Sequence, residues 1–409
     1  MLPLDYAVQR VRGVIAEIEN LKDEDFPYRD SRLALGQIET LFRKRLASLS
    51  ELTDDNDPNV VKTACSESLL QNIKFLPLLG FVVRSTNVRN SFEVFWPLWR
   101  LARQILGPGV RLILSSEWQF SPFVYRPIAD LPGYVLLGLP ASESGNPLLV
   151  PLAGHELGHT TWQQNKLEEI FGPIIVKRIF ESAKNRPIDY HHVFGRELGD
   201  DLFAQQNLGA AYQWAFRHAE ETFCDFFGLR LFGKSYLHAF AYLLTPGGTR
   251  RDFYYPSLGT RIDNMVTAAG TMSITAPPKF SEGFLDELSP KCSERDQYLL
   301  KLADDAAESM REELLVKAVS IADDAGAPKH SHDMVERIRK AFGILTPASH
   351  IGNLTNILAA AWESYYDTDL WVGVVPSDER LATLNELVLK SIEILEFEER
   401  TKENNDPKS

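Results

Sequence analysis

Residues 147–164 read PLLVPLAGHELGHTTWQQ, and this stretch contains two histidines, His155 and His159, four residues apart. Side chains at positions i and i+4 of an α-helix lie on the same face, one turn apart. Two imidazoles at that spacing can therefore reach a single metal ion. Glu156 lies beside the same face, where it could take a proton from a metal-bound water. The segment predicts a helix, beginning near Asn146, that carries a metal site.

The chain on both sides of this segment predicts mostly helix, with one short region of strands. Apolar residues recur at three- and four-residue steps near both ends of the chain, which is typical of amphipathic helices. Residues 111–115 and 133–139 predict strands. We therefore expect a mainly α fold with a small β-sheet. Its expected domains are an N-terminal helical region (1–107), a central domain (108–275) and a C-terminal helical region with a polar tail (276–409).

Other histidine-containing and loop-like segments receive simpler interpretations. Residues 245–261 are rich in Gly, Pro and aromatic residues, which predicts a loop. His191 and His192 are expected in another loop, and His330 and His332 flank a predicted helix start. Neither pair has the spacing of metal ligands, so we expect surface or capping roles for them.

A catalytic zinc site needs a third protein ligand, with water in the fourth position. The best candidate lies in HAEETFCDFFGLRLFG, residues 218–233, where Glu221 and Asp225 share one helical face in an apolar run. A buried carboxylate is costly unless it is paired or bound to a metal. Glu221 could therefore bind the ion, while Asp225 could orient a ligand histidine.

Two neighbours are alternatives to Glu221 as the third ligand. Glu220 has Cys224, and not an acid, four residues further on, so we prefer Glu221. His218 shares the face of Glu221 and could bind the metal, hydrogen-bond to a substrate or simply pack. We interpret Cys224 as a small buried residue and not as a nucleophile.

The order HExxH followed by ExxxD resembles the pattern of gluzincin-type zinc metallopeptidases. This resemblance implies a zincin-like metallopeptidase core flanked by helical regions, in which His155, His159 and Glu221 bind Zn²⁺. It also implies hydrolysis of peptide bonds, with Glu156 as the general base that activates water and returns the proton to the leaving amine. The strand at residues 133–140 would then offer an exposed edge to an extended substrate, although it could equally be an ordinary interior strand.

Residues 255–262, YPSLGTRI, resemble the HPPxxxRI loop of the CAAX-prenyl protease and heat-shock HtpX group. The Pro, the Arg and the Ile are kept, while Tyr255 replaces the His and Ser257 replaces the second Pro. By this resemblance, Tyr255 could donate a hydrogen bond to the oxyanion, and Arg261 could order the loop or bind a carboxylate. The simpler alternatives are an aromatic packing role for Tyr255 and a structural salt bridge for Arg261.

Composition limits the partners and the location. Lys and Arg total 43 and Asp and Glu total 56, and the resulting net charge of −13 disfavours nucleic acid and anionic membranes. The three cysteines form no CxxC pair, which predicts reduced thiols and a cytoplasmic location. We expect no membrane span and no signal peptide. The expected partners are a protein or peptide substrate and a regulatory protein that would bind the helical flanks.

Two rival functions stay open at this point. The chain could be a catalytically silent regulatory or binding protein that keeps a metal-stabilised zincin fold, but the intact Glu156 argues against this because a scaffold needs only the ligands. It could also be a helical interaction protein in which HExxH is fortuitous. Zinc itself is inferred from the ligand types, and other divalent metals could bind such a set.

Overall fold

The computed structural model describes residues 2–53, 55–85, 92–125, 130–199, 202–247 and 250–405. Within these ranges it contains fifteen α-helices and three β-strands. This confirms the prediction of a mainly α fold with a small β-sheet. None of the helices in these ranges combines the length and the apolar character that crossing a bilayer requires.

The chain divides into two compact units, one formed by Met1–Phe95 with Gly109–Gly145 and the other by Trp96–Pro108 with Asn146–Ser409. The strands therefore belong to the unit of the N-terminal helices, and the HExxH segment belongs to the other unit. The three-domain division expected from the sequence stays a prediction.

The first unit contains three complete helices and the sheet. Its elements are α1 (Leu2–Lys22), α2 (Arg29–Ser50), α3 (Pro58–Arg84), β1 (Arg111–Glu117), β2 (Phe123–Val124) and β3 (Tyr134–Pro140), and α4 (Phe92–Leu106) contributes residues to both units. The three helices bury their apolar stripes against one another, as in the edge-to-face contact of Phe42 and Phe75 at 5.8 Å between ring centroids.

The middle strand of the sheet is β3. It pairs in parallel with β1 along its whole length and antiparallel with β2 at Leu137 and Gly138, and every residue of β3 is buried. The predicted strands at residues 111–115 and 133–139 are thus confirmed. The expectation that β3 offers an exposed edge to a substrate is wrong, because both of its edges pair with another strand.

The regular elements described in the second unit are all helices. It contains a 3₁₀ helix, Pro147–Leu152, followed by α5 (Ala153–Gln164), α6 (Leu167–Lys184), α7 (Pro187–Phe194), α8 (Leu202–Phe232), α9 (Lys234–Leu244), α10 (Leu258–Thr271), α11 (Glu294–Glu308), α12 (Arg311–Asp324), α13 (His332–Gly343), α14 (Leu354–Tyr366) and α15 (Arg380–Asn405).

The HExxH helix begins later than the sequence suggests. Asn146 does cap a helical segment, since its Oδ1 accepts a hydrogen bond from the Leu148 N–H at 3.3 Å. That segment is a 3₁₀ helix, and the α-helix begins only at Ala153. The physical reason is Pro151, which has no N–H to donate and whose ring opposes α-helical packing against the preceding turn.

Two predicted loops contain helices. His191 and His192 lie in α7, whose boundaries are set by Pro187 in its first turn and by Gly195, which ends the helix with φ of 66°. These are ordinary start and stop signals for a short helix, so the loop prediction there is wrong.

The second of these helices is α10, which begins at Leu258 and therefore places Arg261 on a helix and not in the loop predicted for residues 245–261. Ser257 is its N-cap, because the Ser257 hydroxyl accepts a hydrogen bond from the Thr260 N–H at 3.0 Å. Only the part of that segment before α10 is irregular among the described residues.

The central element of the second unit is α8. Residues 218–232 are all buried, and α8 packs against α5, α6, α10, α11 and α12. A helix that is apolar on all sides is stable only when other elements surround it. The carboxylates of Glu221 and Asp225 are therefore enclosed by protein, which they tolerate only if each has a partner.

Candidate metal centre

The candidate metal centre lies where α5 and α8 come into backbone contact. A Cβ atom added to Gly158 would lie 2.9 Å from the Cα of Cys224, and one added to Gly154 would lie 3.0 Å from the Cα of Gly228. Both distances are shorter than normal van der Waals contact, so only glycine allows this approach at those positions. The contact brings the histidine face of one helix against the carboxylate face of the other.

The Nε2 atoms of both histidines face the carboxylate of Glu221. His155 Nε2 lies 3.2 Å from Glu221 Oε2, and His159 Nε2 lies 3.7 Å from Glu221 Oε1. Glu221 is 1% exposed, and its Oε2 atom accepts no hydrogen bond from the described residues. The two imidazoles thus face one buried carboxylate, and all three side chains are of the kinds that bind zinc.

The Nδ1 atoms of the histidines face two further carboxylates. His155 Nδ1 lies 3.0 Å from Asp225 Oδ1, and His159 Nδ1 lies 2.9 Å from Glu220 Oε1. A carboxylate can only accept, so each Nδ1 carries the proton and donates it. Each Nε2 of a neutral ring then presents a lone pair to Glu221. Facing electron pairs repel unless a cation lies between them, so this arrangement fits a bound metal ion.

When no metal is bound, a second proton on the His155 imidazole supplies the positive charge beside Glu221. Burial opposes a charged His155, but hydrogen bonds with Asp225 and Glu221 outweigh burial and raise the pKa of the imidazole to about 10. Burial also works against a charged Glu221, yet a protonated His155, whose Nε2 would then donate to the carboxylate, and the charges of both histidines lower the pKa of its carboxyl to about 2. The centre thus favours an anion at Glu221 with a cation beside it.

Glu156 lies on α5 between the two histidines and is buried. Burial raises the pKa of its carboxyl, the charge of Glu221 adds to this effect, and the histidine charges oppose it. A carboxylate with a raised pKa is a better proton acceptor, which is the property that a general base requires.

Asp225 organises the rest of the centre through several hydrogen bonds. It accepts two from Arg261, from Nε and Nη2, each at 2.8 Å, and one from the Tyr236 hydroxyl at 2.8 Å. Burial works against a charged Asp225, but the charge and hydrogen bonds of Arg261 hold its pKa well below the usual range. Arg261 therefore forms a buried two-bond salt bridge, which keeps Asp225 ionised beside His155.

Tyr255 lies at the more open side of the centre. Its side chain is 43% exposed, and its ring centroid is 6.0 Å from the Arg261 guanidinium carbon. The negative charge of Glu221 is the main cause that raises the pKa of its hydroxyl, with burial second. The hydroxyl thus stays protonated at neutral pH and available as a donor.

The two alternative third ligands have other partners. Glu220 bonds to His159 and also to Arg217, three residues before it on α8. His218 directs Nε2 to the carbonyl oxygen of Phe253 at 2.9 Å and Nδ1 to Asp304 at 3.2 Å. Nε2 of His218 is therefore bonded outside the candidate centre, while Nδ1 contacts Asp304 but makes no hydrogen bond of good geometry with the described residues.

Cys224, for which the sequence predicts only a packing role, is a further possible donor. Its sulfur lies within 4.8 Å of donor atoms of His155 and His159, so two donor sets share the histidines, one with Cys224 and one with Glu221. Burial and the surrounding carboxylates raise the pKa of the Cys224 thiol well above its usual range. Glu221 faces the Nε2 atoms of both histidines, at 3.2 and 3.7 Å, so we favour the set with Glu221.

Tyr236 and Arg217 were not identified from the sequence. The Tyr236 hydroxyl reaches Asp225 and lies 3.3 Å from His155 Nδ1, although Tyr236 is on α9. Arg217 could have been found, since it lies three and four residues before Glu220 and Glu221 on one helix.

Every residue of this centre belongs to the second compact unit. The two histidines come from α5, their carboxylate partners from α8, and the supporting Arg261 and Tyr236 from α10 and α9. Comparisons of the chain with protein-family models, with curated proteins and with solved structures gave no match.

Proposed function

We propose that this chain is a zinc-dependent metallopeptidase with a zincin-like centre, in which His155, His159 and Glu221 hold the metal. The observation that carries the proposal is that the Nε2 atoms of both histidines face the buried carboxylate of Glu221. Its Oε2 atom, the one nearer His155, accepts no hydrogen bond from the described residues. Three protein ligands leave a fourth position open, as catalytic zinc sites do. Zinc would supply Lewis acidity there, lowering the pKa of a bound water and polarising the scissile carbonyl.

The side chains of the centre have distinct tasks in peptide hydrolysis. Glu156 accepts the proton that the attacking water loses and later donates it to the leaving amine nitrogen. Tyr255 donates a hydrogen bond to the carbonyl oxygen as negative charge develops on it. Asp225 and Glu220 fix the tautomers of the two histidines, and Arg261 keeps Asp225 ionised.

The substrate class that fits this chemistry is a protein or a peptide. Cys65, Cys224 and Cys292 are free cysteines, which supports a reducing, cytoplasmic location. The helical flanks would be the place for a regulatory protein partner.

A catalytically silent regulatory or binding protein is a second candidate function, and Cys224 is the observation that favours it. If the thiol joined His155, His159 and Glu221, the metal would have four protein ligands. A closed set of four is typical of structural zinc sites, which have no open position for a substrate. Under this alternative, Glu156 would be dispensable.

The two donor sets differ in the residues whose removal releases the metal. The wild type should carry about one zinc per chain, and His155→Ala, His159→Ala or Glu221→Ala should remove it during purification. Glu220→Ala should weaken zinc binding only about tenfold, since it supports a ligand without being one. Elemental analysis and chelator competition measure this. Cys224→Ser should retain zinc. The assignment would be contradicted if Glu220→Ala lost more zinc than Glu221→Ala, or if Cys224→Ser lost its metal.

Metal removal tests the peptidase itself. The purified chain, incubated with a denatured cell lysate, should generate new peptide N-termini that disappear after treatment with a zinc chelator and return when Zn²⁺ is added. Quantitative N-terminal labelling measures them, and a chelated lysate without the protein is the control. Fragments that persist at the same level in the chelated protein would show that the metal centre does not cleave them.

A further inference from the structure

The loop that carries Tyr255 is attached to a part of the chain well beyond the metal-binding helices. Arg251 donates its backbone N–H to the carbonyl oxygen of Leu288 at 3.1 Å. At the other end of the loop, the Leu258 N–H donates to a Glu287 carboxylate oxygen at 2.7 Å. The segment that precedes α11 therefore runs beside this loop.

A single carboxylate on α11 strengthens this attachment. Asp304 accepts two hydrogen bonds from Arg251, one from Nη1 at 2.8 Å and one from Nη2 at 2.6 Å. The same Nη2 group donates to the backbone carbonyl oxygen of Tyr255 at 3.3 Å. The planar guanidinium of Arg251 thus connects α11 with the backbone of Tyr255, the proposed hydrogen-bond donor to the oxyanion.

The same carboxylate also contacts α8 through His218. His218 is fully buried, with Nδ1 at 3.2 Å from Asp304 and Nε2 at 2.9 Å from the carbonyl oxygen of Phe253 in the loop. The Phe253 ring stacks on Trp214 of α8 at 4.7 Å between centroids. His218 precedes Glu221 by less than one helical turn. These contacts therefore link the loop to α8 close to Glu221, the proposed third ligand.

We propose that Asp304 is a positioning residue, which holds Arg251 and His218 and through them keeps Tyr255 at the metal centre. The proposal rests on the proposed function for the role of Tyr255. It implies that the C-terminal region, expected from the sequence to be a separate flank, supplies part of the peptidase site. Asp304 touches no reacting atom, so its effect must pass through the loop.

The test compares Asp304→Asn with Glu308→Gln in the full chain. Glu308 lies one turn further along α11, is exposed and forms an ion pair with Arg311. Glu308→Gln therefore removes one negative charge from the same helix without changing a contact to the loop. Asp304→Asn should retain zinc, speed amide hydrogen exchange in residues 250–257 about tenfold or more, and lower kcat about tenfold with a smaller change in KM. Glu308→Gln should change none of these. Asp304→Glu should restore part of the loss.

A double variant separates positioning from general stability. If Asp304 acts through Tyr255, then Asp304→Asn should lower kcat less than about twofold in a Tyr255→Phe background, because effects on one shared interaction are not additive. Multiplicative effects would overturn the proposal. If Asp304→Asn does not fold, Arg251→Lys, which keeps the charge but loses the two-bond geometry, should show the same exchange and kinetic changes.

The exchange measurement also separates this proposal from the peptidase assignment. A wild type without chelator-sensitive cleavage would contradict the peptidase, while faster exchange in Asp304→Asn would still support Asp304 as the residue that holds the loop. Unchanged exchange in residues 250–257 would overturn the positioning role, whether or not the wild type cleaves peptides.

Discussion

Glu156→Gln should lower peptide cleavage by about 10²- to 10⁴-fold while leaving the zinc content and the fold unchanged. Glutamine keeps the size of the side chain and can still form hydrogen bonds, but it cannot accept and return the proton. Glu156 is buried on α5 and faces the charges of His155, His159 and Glu221, so no bulk solvent base easily replaces it. Chelator-sensitive fragments in a lysate, compared between wild type and variant, give the measurement.

The matched control is Glu168→Gln. Glu168 lies in the first turn of α6 and is exposed, so the same chemical change there should leave cleavage within about twofold of the wild type. If Glu156→Gln supports every biological effect of the protein as well as the wild type does, the peptidase assignment fails. The catalytically silent regulatory protein would then be the better account.

Asp225→Asn should destabilise the second unit by about 3–5 kcal/mol and weaken zinc binding. The substitution removes a buried charge that Arg261 pairs with through two hydrogen bonds, so it leaves a buried guanidinium without a counterion. It also replaces one of the two carboxylate oxygens, of which Oδ1 accepts from both Tyr236 and His155, with a donor. Urea unfolding of the metal-free protein, followed by a signal from the second unit, measures the stability change.

An exposed ion pair in the same unit is the reference for that experiment. Asp305 on α11 lies 2.6 Å from Arg186, and its side chain is 40% exposed. Asp305→Asn should cost at most about 1 kcal/mol, because water screens and replaces such contacts. Adding Arg261→Met to Asp225→Asn should recover part of the lost stability, since it removes the uncompensated charge. An Asp225→Asn variant as stable as Asp305→Asn would contradict the buried-pair argument.

The contacts that could be predicted from the sequence are those within one or two helical turns. The spacing of His155 and His159, and that of Glu221 and Asp225, sets each pair on one face of its helix, because α-helical geometry is the same in every protein. The small sheet was also predictable, since its β-branched and leucine-rich runs are bounded by Gly and Pro. These local rules led to two faces that the structure brings together.

The supporting contacts could not be predicted because they join residues far apart in the chain. Nothing in the sequence near Tyr236 or Asp304 indicates that one reaches Asp225 and the other Arg251. The packing of whole helices determines which distant residues come into contact, and this packing depends on all of the buried side chains at once. The α10 error was different in kind. Ser257 is a standard helix cap, but the Gly and Pro residues before it made the segment look irregular throughout.

The surroundings of α8 determine when the metal centre can form during synthesis of the chain. Ribosomes make a protein from its N-terminus, so α5 and α8 emerge before α11 and α12, which cover much of the buried surface of α8. Until α11 and α12 have been made, the part of α8 that they cover meets solvent or a chaperone. The nascent chain therefore carries both halves of the HExxH and ExxxD pattern for more than eighty residues of translation before α12 is complete. Under the proposed function, a growing polypeptide would be protected from its own hydrolytic centre during that interval.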